Sequence, residues 1–315
     1  MLKRLLTTGV AAFGILCLPL TANAQKFGLA MSEQDAFLSL VQSGVVEAAK
    51  ASGVSLVVED AKGRKAAQLD QIRAMAAQRL DAIIVVPVDT EATRAITLVA
   101  SEAKIPLVYV NRKPVDFDQW PAGVALVASD EKVSGTVQSE EVCRLLNGRG
   151  QIVVLMGPLS NEAARTRTQD IEDVLARPAC SGIRILDKRL GGWDRGRAFN
   201  IVLNLIASGA NTGRRFDAVV ANNDEMALGA IDALKAANAW SPGFVVAGID
   251  ATPQALSSMK LGDLKVTVRQ NATGQGAGAV QTALKMIRKQ PVARFVDVPF
   301  ELVTPSNLNK FLPNN

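Results

Sequence analysis

The chain has 315 residues, 48% of them hydrophobic and 21% charged, a length and balance that predict about two globular domains and exclude a fibrous or disordered chain. It contains no histidine, which excludes catalytic triads, metal sites and proton shuttles built on imidazole, and its three cysteines exclude a four-cysteine zinc site. The formal net charge of +5 is small and spread along the chain, so we expect no nucleic-acid partner.

The N-terminal segment has the three parts of a secretory signal peptide. Lys3 and Arg4 precede an apolar run, residues 5–20, and the small-residue sequence Ala22-Asn23-Ala24 follows it. A membrane anchor is the alternative, but the apolar run is short for a membrane span. We therefore expect cleavage after Ala24, with residues 1–24 as signal peptide, and a mature protein in the bacterial periplasm.

Two cysteines would remain in the mature protein. Cleavage would remove Cys17 and leave Cys143 and Cys180. An oxidising compartment makes such a pair a disulfide candidate. Two buried free thiols are the alternative at this point.

Short apolar runs rich in β-branched residues alternate with amphipathic segments of about 12–16 residues. The runs predict strands at residues 27–30, 55–58, 82–86, 107–110, 124–127, 152–155, 183–186, 218–221, 244–247 and 265–268. Strands that are apolar on both faces and are joined by helices form parallel sheets from βαβ units. The predicted fold class is therefore α/β, with parallel sheets flanked by helices.

Two features indicate a division into two lobes. Residues 111–123 lack a helical pattern and contain Trp120 between prolines, so we place the passage from the first lobe towards the second there. A weak internal sequence similarity also relates the two halves of the chain. Asp81-Ala82-Ile83-Ile84 and Asp217-Ala218-Val219-Val220 each open a strand that ends in polar residues.

Polar side chains cluster after the predicted strands. In open α/β sheets the ligand binds at the carboxyl ends of the strands. Asp, Asn, Gln and Arg groups offer paired hydrogen bonds to adjacent ring hydroxyls, and flat aromatic rings cover the apolar ring faces. The candidate ligand-binding residues are Asp35, Phe37, Asn111, Arg112, Arg165, Trp193, Asn223, Asp250 and Gln270.

Several of these residues have a structural alternative when each is taken alone. Asn223 is a possible helix N-cap, and Asp250 is a possible cap for the helix after Thr252. Arg165 is a possible partner for Glu162. Their joint position at successive strand ends favours a site for a polyhydroxylated small molecule.

Longer motifs carry a family resemblance over nearly the whole mature chain. They are Ala221-Asn222-Asn223-Asp224-Glu225-Met226-Ala227-Leu228-Gly229-Ala230, Gly248-Ile249-Asp250-Ala251-Thr252-Pro253, Ala163-Ala164-Arg165-Thr166-Arg167 and Tyr109-Val110-Asn111-Arg112-Lys113-Pro114. In these motifs the chain resembles the periplasmic sugar-binding proteins of the ribose, galactose and inositol type, the receptors of ABC importers. The resemblance implies that Phe37 and Trp193 sandwich the ligand ring while the other candidate residues bond its hydroxyls.

The resemblance also implies the architecture and the partners. It places residues 25–129 and 271–299 in the first lobe, and residues 130–270 and 300–315 in the second. Hinge crossings fall near Ser129, Gln270 and Pro299, and the lobes close on the ligand. In that architecture Cys143 and Cys180 end on the same side of the second lobe, which favours the disulfide. The implied partners are a permease in the inner membrane and a chemoreceptor, and the protein itself is expected to be a monomer.

The ligand class and the rival functions follow from the same comparison. Asp35 with Asn111 resembles the galactose type, yet the histidine and the calcium loop of that type are absent. We therefore expect a six-membered ring, an inositol-like cyclitol or a pyranose, with no cofactor, no metal and no catalytic residue. The alternatives are a sugar-processing hydrolase, which would use Asp35 and Asp250, and the effector domain of a sugar-responsive transcription regulator.

Overall fold

The computed structural model describes residues 24–213 and 215–312. The predicted signal peptide therefore lies outside the described residues except for Ala24. Within the described ranges, no helix combines the length and the hydropathy that a membrane crossing needs.

The first lobe is built on a parallel six-stranded sheet with the strand order β11-β5-β4-β3-β1-β2. Its strands are β1 (Lys26–Met31), β2 (Ser55–Asp60), β3 (Ala82–Val85), β4 (Leu107–Val110), β5 (Val124–Ala128) and β11 (Phe295–Asp297). Its helices are α1 (Ala36–Ala51), α2 (Lys65–Ala77), α3 (Arg94–Glu102) and α9 (Ala272–Ile287). Helices α1 and α9 cover one face of the sheet, and α2 and α3 cover the other.

The second lobe contains a parallel sheet with the order β7-β6-β8-β9 and a short antiparallel pair, β10 with β12. The strands are β6 (Arg149–Met156), β7 (Gly182–Leu190), β8 (Ala218–Ala221), β9 (Val245–Ala247), β10 (Thr267–Arg269) and β12 (Glu301–Val303). The helices are α4 (Glu131–Leu145), α5 (Glu162–Leu175), α6 (Arg195–Thr212), α7 (Asp224–Ala236) and α8 (Pro253–Lys260). Helices α6, α7 and α8 pack on one face, and α4 and α5 pack on the other. The predicted fold class, two lobes of parallel sheet flanked by helices, is confirmed.

The sequence predicts that the segment 111–123 leads towards the second lobe. In the structure it does not. Strand β5, which follows it, pairs with β4 in the first sheet. The connection stays on the first lobe because Trp120 is buried there and stacks on Tyr109, with ring centroids 5.0 Å apart. The chain leaves the first lobe only after β5.

The three predicted hinge crossings are joined by one chain of hydrogen bonds. Asn111 Nδ2 donates to Gln270 Oε1 and, at 3.0 Å, to Gln275 Oε1. Gln275 Nε2 donates to Ser129 Oγ at 3.0 Å, and Ser129 Oγ donates to the carbonyl of Val298. Side chains next to the crossings therefore contact one another directly.

The predicted cysteine pair forms a disulfide in the structure. Cys143 lies in α4 and Cys180 follows α5, with their Cα atoms 5.7 Å apart and a sequence separation of 37. Both residues are buried in the cluster under α4 and α5. The bridge ties the two helices that lie on the same face of the second sheet.

Candidate functional site

A cavity lies between the two lobes at the carboxyl ends of their strands. The space between the lobes that protein atoms do not fill amounts to about 390 Å³, part of it open to solvent. Eight of the nine candidate residues line it: Asp35, Phe37, Asn111, Arg112, Trp193, Asn223, Asp250 and Gln270. The remaining lining residues are Leu38, Glu131, Asn161, Ala163 and Arg167.

Two lining residues act as helix caps and also face the cavity. Asp35 Oδ1 accepts the backbone N–H of Leu38 at 2.6 Å, which caps α1. Asn223 Oδ1 accepts the N–H of Met226 at 3.0 Å, which caps α7. Each cap uses one oxygen, so Asp35 Oδ2 remains for a ligand. Asn223 Nδ2 donates one N–H to the carbonyl of Trp193 at 3.5 Å, and its second N–H remains. The structural and the ligand-binding interpretations of Asn223 are therefore compatible.

The amides of Asn111 and Gln270 are oriented by each other. Because Asn111 Nδ2 is committed to Gln270 and Gln275, its Oδ1 is the acceptor left for a ligand. Gln270 Oε1 accepts from Asn111, which leaves the Gln270 amide N–H groups as donors. The pair thus presents one acceptor and donors side by side, as adjacent ring hydroxyls require.

Arg112 is held from two sides in the first lobe. It is 7% exposed, donates from NH1 to the carbonyl of Pro87 at 3.0 Å, and donates from NH2 to Glu33 Oε1 at 2.9 Å. These bonds fix the plane of the guanidinium while part of it faces the cavity. A fixed guanidinium is a preorganised fork of donors.

The structure puts Arg167, rather than Arg165, into the cavity. Arg165 donates to the carbonyl of Leu159 and pairs with Glu91 at 3.1 Å, on the surface. Arg167 is 4% exposed and makes a two-point ion pair with Glu131 at 2.7 and 2.8 Å. Burial disfavours the charged form of Arg167, but Glu131 raises the pKa of this guanidinium, which keeps it charged.

The helical period explains why Arg167, and not Arg165, faces the cavity. The buried face of α5 includes Ala164, Arg167 and Ile171, spaced three and four residues apart, and Arg165 lies off that face. The alternative pairing of Arg165 with Glu162 is not formed in the structure. Sequence reasoning missed Arg167 although this spacing was available as a signal.

Trp193 is placed in the cavity by unusual backbone geometry. Its φ of 67° lies in the left-handed region, and Gly192 before it has a φ of 66°. A Cβ added to Gly157 would lie 2.3 Å from two atoms of the indole ring, so the ring rests directly on the glycine backbone. The Arg167 guanidinium lies 5.8 Å from the ring centre. The indole is therefore packed from two sides before any ligand arrives.

Asp250 contributes a buried carboxyl group to the site. It is 6% exposed, and burial, together with the nearby charge of Asp224, raises its pKa well above the usual range, with Arg167 opposing the shift. None of the described residues donates a hydrogen bond to its carboxylate. A buried carboxylate without a donor is costly until a partner supplies hydrogen bonds.

The lobes also touch outside the cavity, at its rim. Thr90, in the loop after β3, is fully buried. Its Oγ1 donates to the carbonyl of Ser160 at 3.1 Å and accepts the N–H of Glu162 at 3.1 Å, and its own N–H also donates to Ser160. Ser160 and Glu162 lie at the start of α5, so Thr90 joins the first lobe to the second.

The described residues contain no group of acidic or cysteine side chains arranged to hold a metal ion. Carboxylates, amides and guanidinium groups converge on a small space beside an indole and a phenyl ring.

Comparisons with known proteins find related sequences over most of the chain. A family model of the periplasmic binding protein domain matches residues 27–291. The chain is 47% identical over 296 residues to the "Putative rhizopine-binding protein" of Rhizobium meliloti, with 93% of this chain and 94% of that one covered. It is 31% identical to the xylitol-binding protein of Mycolicibacterium smegmatis, with 90% of this chain and 81% of that one covered.

A solved structure of similar sequence has the same fold. The structure of an ABC transporter solute-binding protein from Bacillus halodurans C-125, with bound myo-inositol, matches with a TM-score of 0.84 at 37% identity. The match covers 91% of this chain and 96% of that one.

Proposed function

Because the chain belongs to the periplasmic binding protein family, we propose that it is the extracytoplasmic receptor of an ABC importer for a cyclitol or sugar with a six-membered ring. The ligand binds between the lobes, the lobes close on it, and the closed form delivers it to a permease in the inner membrane. The observation that carries the proposal is the cavity between the lobes, with its converging planar polar groups and two aromatic rings.

The chemistry of the cavity favours a compact ring over a polymer or an anion. A cyclitol presents hydroxyls around its whole edge, so it needs partners from every side, and the cavity has them in both lobes. Asp35, Asn111 and Arg112 come from the first lobe. Arg167 and Asp250 come from the second.

The relatives support the ligand class. The Rhizobium meliloti relative is named for rhizopine and the Mycolicibacterium smegmatis relative for xylitol, and the Bacillus halodurans structure contains myo-inositol. The ligands in these names are all polyhydroxylated small molecules. The cyclitol is our first choice because the inositol-bound structure combines 37% identity with near-complete coverage.

The proposed roles follow from the free atoms of each residue. Phe37 and Trp193 cover the ring faces. Asp35, Asn111, Asn223, Asp250 and Gln270 bond hydroxyls with the atoms that their structural bonds leave free, and Arg112 and Arg167 add donors. Arg165 acts at the rim of the cleft through Glu91 rather than on the ligand.

The remaining parts of the proposal concern processing and partners. The signal peptide is removed after Ala24, and the protein works as a monomer in the periplasm. It returns its ligand unchanged, so it is not an enzyme. The closed form is also the form that a chemoreceptor would read. The lobe boundaries are those expected from the sequence, at residues 129, 270 and 299.

A thermal-shift panel of pentoses, hexoses and cyclitols tests the ligand class. A ligand at 100 times its dissociation constant stabilises the folded protein by about 2.7 kcal/mol. We expect the largest shift with a cyclitol, and chromatography should recover that ligand unchanged. A panel with no shift contradicts the proposal, and conversion of the ligand supports a hydrolase instead.

Asp250→Asn and Asp118→Asn form a matched pair for the site itself. The Asp250 change replaces an acceptor by a donor in a buried position, which mispairs at least one hydroxyl at a cost of about 1–3 kcal/mol. Asp118 is exposed on the first lobe, outside the cavity. In calorimetric titration with the best panel ligand, Asp250→Asn should lose roughly fivefold to 150-fold in affinity, and Asp118→Asn should bind as wild type does. Equal affinities would mean that the ligand does not contact Asp250.

A further inference from the structure

Asp224 lies outside the cavity but directly behind it. It is the first residue of α7, it is fully buried, and it is not among the residues that line the cavity. A buried carboxylate normally has a cationic partner. The two bonds that its side chain accepts come instead from a backbone N–H and a threonine hydroxyl.

Both of those bonds hold the loop that carries Asp250. Asp224 Oδ2 accepts the N–H of Thr252 at 2.8 Å, and Asp224 Oδ1 accepts the hydroxyl of Thr267 at 2.7 Å. The same Thr267 oxygen accepts the N–H of Ala251 at 3.1 Å. The backbone groups of residues 251 and 252, which follow Asp250, are therefore satisfied through Asp224.

The loop needs this support because its backbone is strained. Asp250 has a φ of 129° and Ala251 a φ of 53°, both in the region that favours glycine. Such conformations persist only where the surroundings impose them. On the other side, a Cβ added to Gly248 would lie 2.3 Å from Asp224 Oδ1, so the chain before the loop also rests on this carboxylate.

We propose that Asp224 is a positioning residue for ligand binding, which holds the Asp250 loop in place and sets the charge that Asp250 presents to the ligand. The inference rests on the proposed function, since it assigns Asp250 to the ligand. It adds a residue that no ligand contacts, and it predicts how the affinity depends on pH.

The charge part of the proposal follows from the neighbours of the two carboxyls. Asp250 faces Asp224, Arg167, Asp35 and Glu131, and three of these four neighbours are acidic. Burial raises the pKa of Asp224 to about 6, against the bonds from Thr267 and Thr252 and with Glu225 adding to the rise. Burial and Asp224 likewise raise the pKa of Asp250 in the empty protein.

Ligand binding and the protonation of Asp250 are coupled. Ring hydroxyls donate to the ionised form of Asp250, so binding favours loss of its proton. The affinity should therefore rise as the pH rises through the pKa of Asp250 in the empty protein. Removing the negative charge of Asp224 lowers that pKa, so the rise should move to lower pH.

Two variants separate charge from position. Asp224→Asn removes the charge but keeps the shape and one acceptor, whereas Thr267→Val keeps the charge and removes the hydroxyl that links Asp224 to Ala251. We expect Asp224→Asn to shift the affinity–pH curve to lower pH. Because the Thr267 hydroxyl lowers the pKa of Asp224, Thr267→Val is compared with wild type at pH 8, where Asp224 is ionised. We expect it to lose about tenfold in affinity there, for the loss of hydrogen bonds to a buried charge.

The experiment is calorimetric titration with myo-inositol between pH 5 and pH 8, with Asp118→Asn as control. Identical midpoints in wild type and Asp224→Asn would overturn the charge role. Wild-type affinity in Thr267→Val would overturn the positioning role. If wild type binds neither myo-inositol nor any other panel ligand, the proposed function fails instead.

A second experiment needs no ligand, so it can distinguish failure of this inference from failure of the proposed function. Carboxyls with a raised pKa contribute stability at low pH that is lost as the pH rises through the folded-state pKa, about 6 for Asp224. In urea unfolding of the empty protein, Asp224→Asn and Asp250→Asn should each weaken this pH dependence. Because the two carboxyls repel each other, the double variant should differ from the sum of the two singles. Additive effects would show independent groups and overturn the inference.

Discussion

The bridge that Thr90 makes across the rim leads to a prediction about ligand release. Thr90→Val keeps the shape of the buried side chain and removes the hydroxyl that bonds Ser160 and Glu162. These bonds join the two lobes, so they exist only when the lobes are closed. When the lobes separate, water can bond both backbone groups, so we expect the substitution to cost little in the open form.

The size of the effect follows from the two lost bonds. Each is worth about 0.5–1.5 kcal/mol net, so closure becomes less favourable by about 1–3 kcal/mol. At about 1.4 kcal/mol for each factor of ten, the affinity should fall roughly fivefold to 150-fold. Most of the change should appear in the dissociation rate, because the rim closes after the ligand has entered. The nearby pair of Arg165 with Glu91 is half exposed and adds little.

Stopped-flow tryptophan fluorescence measures the two rates, since Trp193 lies in the cavity. Thr93→Val is the matched control, because Thr93 is also buried but bonds Asp116 within the first lobe, with 2.9 Å between the oxygens. We expect Thr93→Val to lower stability and to leave the dissociation rate unchanged. Equal dissociation rates in Thr90→Val and wild type would refute the idea that this contact holds the closed form.

Two further predictions concern the indole and the disulfide. Gly157→Ala should weaken ligand binding, although Gly157 does not line the cavity, because the new methyl group displaces the Trp193 ring. Calorimetric titration would measure the affinity, and near-ultraviolet circular dichroism would measure the movement of the ring. An unchanged affinity would contradict the role of the ring. Protein denatured without reductant should titrate no free thiol, and reduction of Cys143–Cys180 should lower the free energy of unfolding by about 2–4 kcal/mol at unchanged ligand affinity, since the bridge lies under α4 and α5. Two titratable thiols would exclude the bridge.

The sheets were predictable because most of their strands are buried on both faces, although the edge strands β2 and β7 are largely exposed. Each of the ten predicted strands overlaps a strand of the structure, since a continuous run of β-branched and apolar residues has few other uses in an α/β fold. Strands β11 and β12 were missed because both are partly exposed and each contains an acidic residue that interrupts the apolar run. The segment 111–123 was misassigned because its prolines were visible in the sequence, whereas the packing of Trp120 on Tyr109 was not.

The candidate site was predictable from strand ends and only partly from side-chain direction. Strand ends gave Asp35, Asn111 and Asp250, since every strand of a parallel sheet points to the same edge. Within a helix the direction of a side chain depends on the period, and Arg165 was chosen where the buried face of α5 presents Arg167. Glu131 was missed because its role depends on Arg167, a contact between residues 36 apart in sequence.

The backbone conformation of three site residues explains why local sequence preferences could not predict the whole site. Asn111, Trp193 and Asp250 have φ values of 70°, 67° and 129°. Left-handed backbone costs of order 1–3 kcal/mol at a residue other than glycine, and local sequence preferences predict against it. Each of the three is held by partners distant in sequence: Asn111 by Gln275, Trp193 by the bare backbone of Gly157, and the Asp250 loop by the network that ends in Asp224. The same partners fix the three side chains in the closed cavity, so their strain is overcome before the ligand arrives and its binding energy is left for closing the lobes. Relaxing any one of these partners should therefore lower the free energy of ligand binding by more than it lowers the free energy of unfolding.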